Sequence, residues 1–405
     1  MLKTRTETWL ALLAGAVGLF LVGLGGLWVF MSATPPLHQG AQDVTSVAEA
    51  APSQQWVEAT AQAREIVRAS VAEQNLPGAS VAVAVDGNIV WAEGFGWADI
   101  EQKTPVSPKT RFRIGTASTA LTSAAVGLLL EKDRLKLDEK IQAYVPEFPE
   151  KQWPVTLRQL MAHVAGVPTD SGDEGPLFSE RCERAVEALP HFAGRPLRFE
   201  PGTQYSYSSY GWILMSAAVE AAANEPLLAL MRTQIFEPLG MDGTRADAGT
   251  VPIPDVATFY FPRFAGDPRY GPDLMRPLEY SCYSGSSVFL STPSDLVRFA
   301  VAINTGRLLQ PATVALLQAS QRLVSGAETG YGLGWDLETA TVLGKPARVV
   351  GHDGESLGGT VASFMTFPDY DIVVALATNI SYADTFGVAV KVAEAFAQQA
   401  KGPTR

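Results

Sequence analysis

Alternating apolar and polar positions predict β-hairpins in two distant parts of the chain. Residues 80–99 contain two strand-like runs separated by Asp86-Gly87, a dipeptide typical of tight hairpin turns. Residues 360–367 and 371–378 form a second pair of strand-like runs, joined by a short turn that contains a proline. These segments predict that strands from both ends of the chain contribute to the structure.

Between the hairpins, the apolar spacing changes to that of α-helices. Segment 116–131 is apolar on most of its faces, which predicts a helix buried inside the domain. Residues 140–325 read as mainly helical with long loops, and 56–74 and 383–400 read as amphipathic helices beside the strands. We therefore predict an α+β fold, in which an antiparallel sheet built from both chain ends is flanked by helices and carries a large all-helical insert.

The first 55 residues follow a different pattern. Residues 9–31 are 23 consecutive uncharged, mostly apolar residues, enough for a helix to cross a hydrocarbon core of about 30 Å. Two basic residues precede this run, whereas residues 32–55 lack Lys and Arg and are rich in Pro, Ala and Ser. By the positive-inside rule we predict a cytoplasmic tail at 1–8, a transmembrane anchor at 9–31, a linker at 32–55 and a periplasmic or otherwise extracytoplasmic domain at 56–400. The alternative is a cleaved signal peptide, although its apolar core is usually only about 7–15 residues long.

Composition narrows the range of functions. The net charge of −11 and the absence of a Lys/Arg cluster argue against nucleic-acid binding. Only four histidines and two cysteines occur, without an HExxH or CxxC motif, so we predict neither a metal site nor another cofactor. Outside the cytoplasm Cys182 and Cys282 can form a disulfide, but two separate buried thiols also fit the sequence.

Three short, separated patches carry residues suited to acyl transfer. Residues 116–119 begin the buried helix, where free N–H groups and the helix dipole favour a nucleophile such as Thr116. Residues 207–209 precede another predicted helix, and residues 352–354 follow a predicted strand. His352, with a free pKa of about 6.5, can act as a base or bind a carboxylate, or it is simply a hydrogen-bonded residue at a strand end.

Residues 354–358 also match G-x-S-x-G, the nucleophile motif of α/β-hydrolases. That motif requires a strand, a sharp turn and a helix, with the catalytic histidine later in the chain. Here a strand-like run follows, and no histidine lies beyond His352. We therefore interpret the match as a Gly-rich turn between strands.

The order of further motifs resembles the serine beta-lactamase and penicillin-binding-protein superfamily over roughly residues 56–400. The resemblance is strongest to its class C-like branch, which includes esterases, D-amino-acid peptidases and mitochondrial serine beta-lactamase-like proteins. The matching segments are FRIG at 112–115, LRQLMAHVAGVP at 157–168, FEPGTQYSYSSYGW at 199–212, SSVFLSTPSDLVRFAVAINTG at 286–306, YGLGW at 331–335 and GHDG at 351–354. Several ordered matches in one chain are more specific than any single motif.

The resemblance implies acyl transfer to and from a small-molecule or peptide substrate. In this superfamily a serine at a helix start attacks a carbonyl carbon, and a lysine one turn later handles the proton together with a tyrosine. Position by position, the serine falls on Thr116, the lysine on Thr119, the tyrosine on Tyr207 and the usual asparagine on Ser209. The family's S-x-x-K motif is therefore degenerate in this chain.

The remaining implied site residues lie near the end of the chain. His352 and Gly354 keep the family's H-x-G strand, and the implied oxyanion donors are the backbone amides of Thr116 and Glu355. His163 is expected to be structural and to bond a loop carbonyl near the cleft. The sequence indicates no particular oligomeric state.

The two threonines leave two hypotheses open. Thr116 still offers a hydroxyl, but its methyl group crowds the approach, and Thr119 cannot be a base or a cation near neutral pH. Loss of a positioned base typically costs about 10²–10⁴-fold in rate, and Tyr207, with an ordinary pKa of about 10, lacks the cation that would help it. The chain is therefore either a hydrolase with an altered nucleophile and base, or a catalytically inactive pseudoenzyme. The pseudoenzyme would use its cleft or surface as a membrane-tethered module that binds a peptide or peptidoglycan ligand or interacts with another protein.

Overall fold

Strands concentrate towards the two ends of the chain and helices in its middle. The computed structural model describes residues 2–32, 35–168, 177–247, 253–356 and 358–400. The strands are β1 (Ser46–Ala48), β2 (Gly78–Val85), β3 (Asn88–Asp99), β4 (Thr104–Pro105), β5 (Phe112–Arg113), β6 (Arg245–Ala246), β7 (Tyr260–Pro262), β8 (Pro272–Leu274), β9 (Phe289–Ser291), β10 (Asp336–Val342), β11 (Lys345–Ser356), β12 (Thr360–Phe367) and β13 (Ile372–Thr378). The α-helices are α1 (Leu2–Ser32), α2 (Val57–Glu73), α3 (Ser118–Glu131), α4 (Leu157–Met161), α5 (Ser209–Ala223), α6 (Leu227–Met231), α7 (Glu237–Leu239), α8 (Pro293–Asn304), α9 (Pro311–Leu317) and α10 (Thr385–Ala400).

The main sheet joins the two chain ends through the pairing of β2 with β13. Its strand order is β1-β3-β2-β13-β12-β11-β10, with β4 paired to β3, and all these pairs are antiparallel. Asp86 and Gly87 turn the first hairpin with positive φ angles of 49° and 75°. The predicted α+β fold is confirmed. The insert, however, is not purely helical, because β5-β9-β6 and β7-β8 form two small sheets within it.

The alternation of side chains along the strands gives the sheet two apolar faces. In β11, Ala347 and Val349 pack into the core that contains α2 and α10, whereas Val350 packs into the core shared with the insert. Because side chains alternate along a strand, His352 and Gly354 follow Val350 onto the insert side. The sheet thereby presents the H-x-G segment to the insert.

Helix α3 occupies the centre of the insert. Every residue from Ser118 to Gly127 is buried, as expected for a helix that is apolar on most faces. It contacts α5 and α9, as well as the 3-10 segment Ser281–Ser286. Its N-terminal end therefore lies in a packed environment that holds the preceding turn in place.

The segment 32–55, predicted as a linker, contributes to the domain. Strand β1 pairs with β3, and Val44 and His38 are buried. Because β3 would otherwise present an unpaired edge, β1 covers part of it. Within the described residues, no single helix is both long and apolar enough to cross a membrane, although α5 and Leu227–Leu239, bent by 75°, pass that length and composition test as a pair.

A disulfide closes one side of the insert. Cys182 and Cys282 are bonded, which decides between the two alternatives that the sequence left open. Close to Cys282, the carbonyl of Gly285 accepts a 2.8 Å hydrogen bond from Thr122 of α3, and its amide donates a 3.0 Å bond to Ser216 of α5. The disulfide therefore tethers the loop around Cys182 to a segment that contacts both central helices.

Candidate active site

Thr116 lies in the turn that enters α3. Gly115–Ala117 forms a 3-10 turn, with Gly115 at a φ of 50°, so the helix begins at Ser118 rather than at Thr116 as predicted. The Thr116 side chain is half-buried, whereas Ser118 is fully buried. Of these two hydroxyl-bearing residues, Thr116 is therefore the one that a ligand can reach.

Arg113 holds the strand before this turn. Its Nε lies 2.6 Å from Asp247 Oδ2, and its Nη1 donates a 3.1 Å hydrogen bond to the carbonyl of Gly358, between β11 and β12. The guanidinium also lies over the rings of Phe259 and Tyr280, at 4.3 and 4.6 Å from their centroids. This buried cation links the start of the turn to the end of the H-x-G strand, a connection that no sequence motif indicates.

The Thr119 hydroxyl bonds to its own helix. Its Oγ1 donates a 2.9 Å hydrogen bond to the carbonyl of Thr116, and the side chain is fully buried. Such back-bonding is common for threonine in helices. The position that the resemblance gives to the lysine therefore holds a neutral, internally satisfied hydroxyl.

Gly354 lets the H-x-G strand approach the turn closely. A Cβ at this position would lie 2.1 Å from the carbonyl oxygen of Ile114 and 2.7 Å from the amide nitrogen of Ala117. Only glycine fits this approach without displacement of the backbone. The residue after it, Glu355, pairs with Val361 of β12, so its backbone belongs to the same sheet.

Gly354→Ala is expected to lower the free energy of unfolding by about 1–3 kcal/mol, because the added methyl group would overlap backbone atoms on the turn. Urea denaturation with a fit for a two-state transition measures this change. Gly194→Ala is the matched control, because among the described residues no atom beyond Gly194 and its two chain neighbours lies within 4 Å of the Cβ position there. An equal change in both variants would contradict the close packing of strand and turn.

Tyr207 and Ser209 flank the capping residue of α5. The Ser208 hydroxyl donates a 2.9 Å hydrogen bond to the carbonyl of Pro168 and accepts one of 3.2 Å from the amide of Gly211, which caps the helix. Ser209 is the first helical residue, and Tyr207 is half-buried just before the cap. The capping interaction thus fixes the backbone from which the Tyr207 ring projects.

His163 supports this loop as a hydrogen-bond acceptor and not, as expected from the sequence, as a donor to a loop carbonyl. Its Nδ1 lies 3.1 Å from the amide nitrogen of Ser208, which can only donate, so the ring proton resides on Nε2. The imidazole lies 4.1 Å from the Tyr207 ring, centroid to centroid. Burial, with a smaller effect of His352, lowers the pKa of His163 to about 3. The ring is therefore neutral and positions Tyr207 and Ser208.

His352 contacts two residues that are not among the site residues predicted from the sequence. Its Nε2 lies 3.0 Å from the hydroxyl of Tyr331, and its Nδ1 lies 3.6 Å from Asp336 Oδ2. The Tyr331 ring also lies 4.9 Å from the His163 ring, which connects the two histidines. Tyr331 belongs to the YGLGW segment, and Asp336 follows it directly. Both residues lie at or just before the start of β10, which forms a hairpin with the H-x-G strand β11. This position is the sequence signal that could have identified them.

The structure thus arranges the implied site residues in two adjoining groups. Thr116 and Thr119 are joined by a hydrogen bond, and the turn containing Thr116 packs against Gly354. Tyr207 and His352 are connected through His163 and Tyr331. This arrangement offers a reachable hydroxyl and two titratable side chains, and at the position of the family's lysine it has no cation.

Comparisons with known proteins show which family the chain resembles. A family model described as Beta-lactamase matches residues 63–399. The mouse protein "Serine beta-lactamase-like protein LACTB, mitochondrial" is 28% identical over 373 residues, which cover 70% of this chain and 66% of its own. "Penicillin-binding protein 4*" of Bacillus subtilis (strain 168) is 27% identical over 288 residues, which cover 68% of this chain and 62% of its own. The chain therefore spans about two thirds or less of the length of these relatives.

A solved structure shows the same fold. The D-amino acid amidase from Ochrobactrum anthropi SV3, complexed with L-phenylalanine amide, superimposes with a TM-score of 0.70 at 24% identity. The match covers 84% of this chain and 99% of the amidase chain. The likeness extends over nearly the whole domain and concerns the fold alone.

Proposed function

Because the chain belongs to the beta-lactamase family, we propose that it is an acyl hydrolase that cleaves an ester, amide or peptide bond outside the cytoplasm, with Thr116 as the nucleophile. The observation that carries this proposal is the close packing of Gly354 on the turn containing Thr116. In acyl transfer, a hydroxyl at such a turn attacks the carbonyl carbon while nearby backbone amides stabilise the negative charge that develops on oxygen. We assign that role to the amides of Thr116 and Glu355.

The proposed proton transfer differs from that of the family. A lysine at position 119 would supply a cation and a base, whereas Thr119 supplies a hydroxyl that already donates to the carbonyl of Thr116. Of the site residues that the sequence motifs indicated, Tyr207 and His352 remain as groups that can take part in proton transfer. A small-molecule or peptide substrate is consistent with the amidase that shares the fold, whose structure contains L-phenylalanine amide.

We also propose that α1 attaches the domain to a membrane outside the cytoplasm, through an apolar stretch that, in the described residues, covers Leu12–Trp28. Its aromatic side chains Trp9, Phe20 and Trp28 are exposed, and the Cys182–Cys282 disulfide suits an oxidising compartment. A reporter enzyme that folds only outside the cytoplasm, fused to the C-terminus, should be active. An inactive but intact fusion would contradict this placement.

A second candidate function is binding without catalysis. The observation in its favour is the Thr119 hydroxyl, which is satisfied by its own helix and leaves the site without the family's cation. The cleft would then hold an acylated, peptidic or peptidoglycan-derived ligand. Thermal-shift measurements with peptidoglycan fragments test this function, and the absence of any shift would count against it.

A covalent adduct on Thr116 is the expected result of incubating the full-length chain, in detergent, with a fluorophosphonate. Phosphonylation of a nucleophilic hydroxyl raises the intact mass by the mass of the probe minus its leaving group, and peptide mapping locates the adduct. Thr116→Val has nearly the same size and no hydroxyl, so it should give no adduct. An unmodified wild-type chain, under conditions in which a known serine hydrolase reacts fully, would contradict the hydrolase proposal.

A further inference from the structure

The hydrogen bonds around His352 determine which ring nitrogen carries the proton. Nδ1 lies 3.1 Å from the carbonyl oxygen of Asp353 and 3.6 Å from the carboxylate of Asp336. The backbone carbonyl of Asp353 can only accept, and the Asp336 carboxylate is held in place by the 2.9 Å hydrogen bond that it accepts from the amide of Asp353. The proton therefore resides on Nδ1, and Nε2 presents its lone pair to the hydroxyl of Tyr331 at 3.0 Å.

The Tyr331 hydroxyl consequently donates a hydrogen bond to Nε2 of His352, which can act as a base towards it. The side chain is buried, and burial, with the Asp336 carboxylate and Tyr207 adding to it, raises the pKa of Tyr331 well above its ordinary value. The phenol is therefore neutral at rest. The order carboxylate, imidazole, hydroxyl is the order of groups that activates a hydroxyl in hydrolases with a catalytic triad.

Tyr331 also adjoins the turn that carries the nucleophile. The Thr119 side chain lies within hydrogen-bond reach of the phenol, and its own hydroxyl proton is directed to the carbonyl of Thr116. On the other side, the His163 ring packs against both Tyr331 and Tyr207. The phenol thus lies between the nucleophile helix and the H-x-G strand, at the junction of the two groups of site residues.

We propose that Tyr331, His352 and Asp336 form a proton relay that replaces the missing lysine in the acyl transfer. Tyr331 is then a further catalytic residue, whose oxygen meets the reacting proton, and Asp336 is a positioning residue that acts through His352. This inference rests on the proposed hydrolase function and adds the path that the proton takes.

The relay balances protons and electrons in each step. As the Thr116 oxygen forms a bond to the acyl carbon, the carbonyl π electrons move onto its oxygen, and the hydroxyl proton passes to the Tyr331 oxygen. The proton of Tyr331 passes at the same time to Nε2 of His352, so the charge formed is an imidazolium beside Asp336. When the bond to the leaving group breaks, the proton returns along the same path to that group. Attack by water on the acyl-enzyme repeats both steps and restores the free Thr116 hydroxyl.

The test measures hydrolysis of p-nitrophenyl butyrate by the full-length chain, with Thr116→Val as the background. Tyr331→Phe should lower kcat by about 10²-fold with KM changed less than about threefold, because it removes proton transfer and leaves substrate contacts in place. Asp336→Asn should lower kcat by about tenfold or more, and Asp336→Glu should retain more activity than Asp336→Asn. Tyr370→Phe is the matched control, since it deletes a hydroxyl that donates a 3.2 Å bond to the carbonyl of Val342, away from His352.

A second readout does not depend on turnover. In ¹⁵N NMR of the labelled full-length chain, the resonances of His352, identified by their loss in His352→Gln, should show the tautomer protonated on Nδ1. Protonation on Nε2 would overturn the relay even if Tyr331→Phe failed to fold. Wild-type kcat in a folded Tyr331→Phe variant would overturn the relay and leave the hydrolase proposal standing. Wild-type hydrolysis no faster than that of Thr116→Val would instead reject the hydrolase function, and the relay with it.

Discussion

The double variant Thr116→Ser/Thr119→Lys is expected to hydrolyse p-nitrophenyl esters about 10²–10⁴-fold faster than the wild-type chain, the range that a positioned base usually contributes. Serine removes the methyl group that stiffens the Thr116 side chain, and lysine supplies the cation and base that position 119 lacks. The surrounding structure already suits this chemistry, because Gly354 still permits the close approach of its strand to the turn. Steady-state kcat/KM measures the gain, and intact mass after incubation with a penicillin measures acylation.

Two further variants separate the effects of the two substitutions. Thr116→Ser alone should produce a much smaller gain, because it leaves the proton without a new acceptor. Thr116→Ser/Thr119→Met is the matched control, since methionine has a long unbranched side chain like lysine but no charge. Equal rates in the Lys and Met variants would show that the gain does not come from the restored base.

The parts of the fold that rest on local patterns could be predicted from the sequence. The hairpin around Asp86-Gly87 has strong turn residues and clear strand periodicity on both sides, and the buried helix after Thr116 is apolar on most faces. The three-residue strand β1 could not be predicted, because it is too short to show alternation and depends on an open edge of β3. The two small sheets of the insert could not be predicted for the same reason, since their strands have only two or three residues.

Only those residues of the candidate site that belong to recognisable sequence motifs could be predicted. The motifs identified Thr116, Thr119 and His352, and the structure shows that one hydrogen bond joins the threonines. Tyr331 and Asp336 were missed because their contact with His352 depends on the register of β10 against β11, which pairs Asp336 with Gly351. The residue pairing between two strands cannot be deduced from the residue spacing within one motif. It can be deduced only when both strands are recognised as one hairpin.

The second large effect concerns the Cys182–Cys282 disulfide. Cys182→Ala/Cys282→Ala is expected to lower the free energy of unfolding by about 2–5 kcal/mol, because the bond closes a long loop in the unfolded chain. The two cysteines are separated by 100 residues, a span that includes Tyr207 and α5. The urea midpoint and slope of the full-length chain, followed by tryptophan fluorescence, measure the loss.

The double variant should also alter the geometry of the candidate active site. A disulfide that constrained only the protein surface would not have this effect. Close to Cys282, Gly285 is hydrogen-bonded to Thr122, which lies one turn after Thr119 on α3. A looser segment at Gly285 would therefore allow the nucleophile helix to shift. A reducing agent should lower the stability of the wild-type chain to that of the double variant and leave the double variant unchanged. If the double variant were as stable as the oxidised wild type, the disulfide would not constrain the insert. Its connection to α3 would then contribute nothing to the free energy of unfolding.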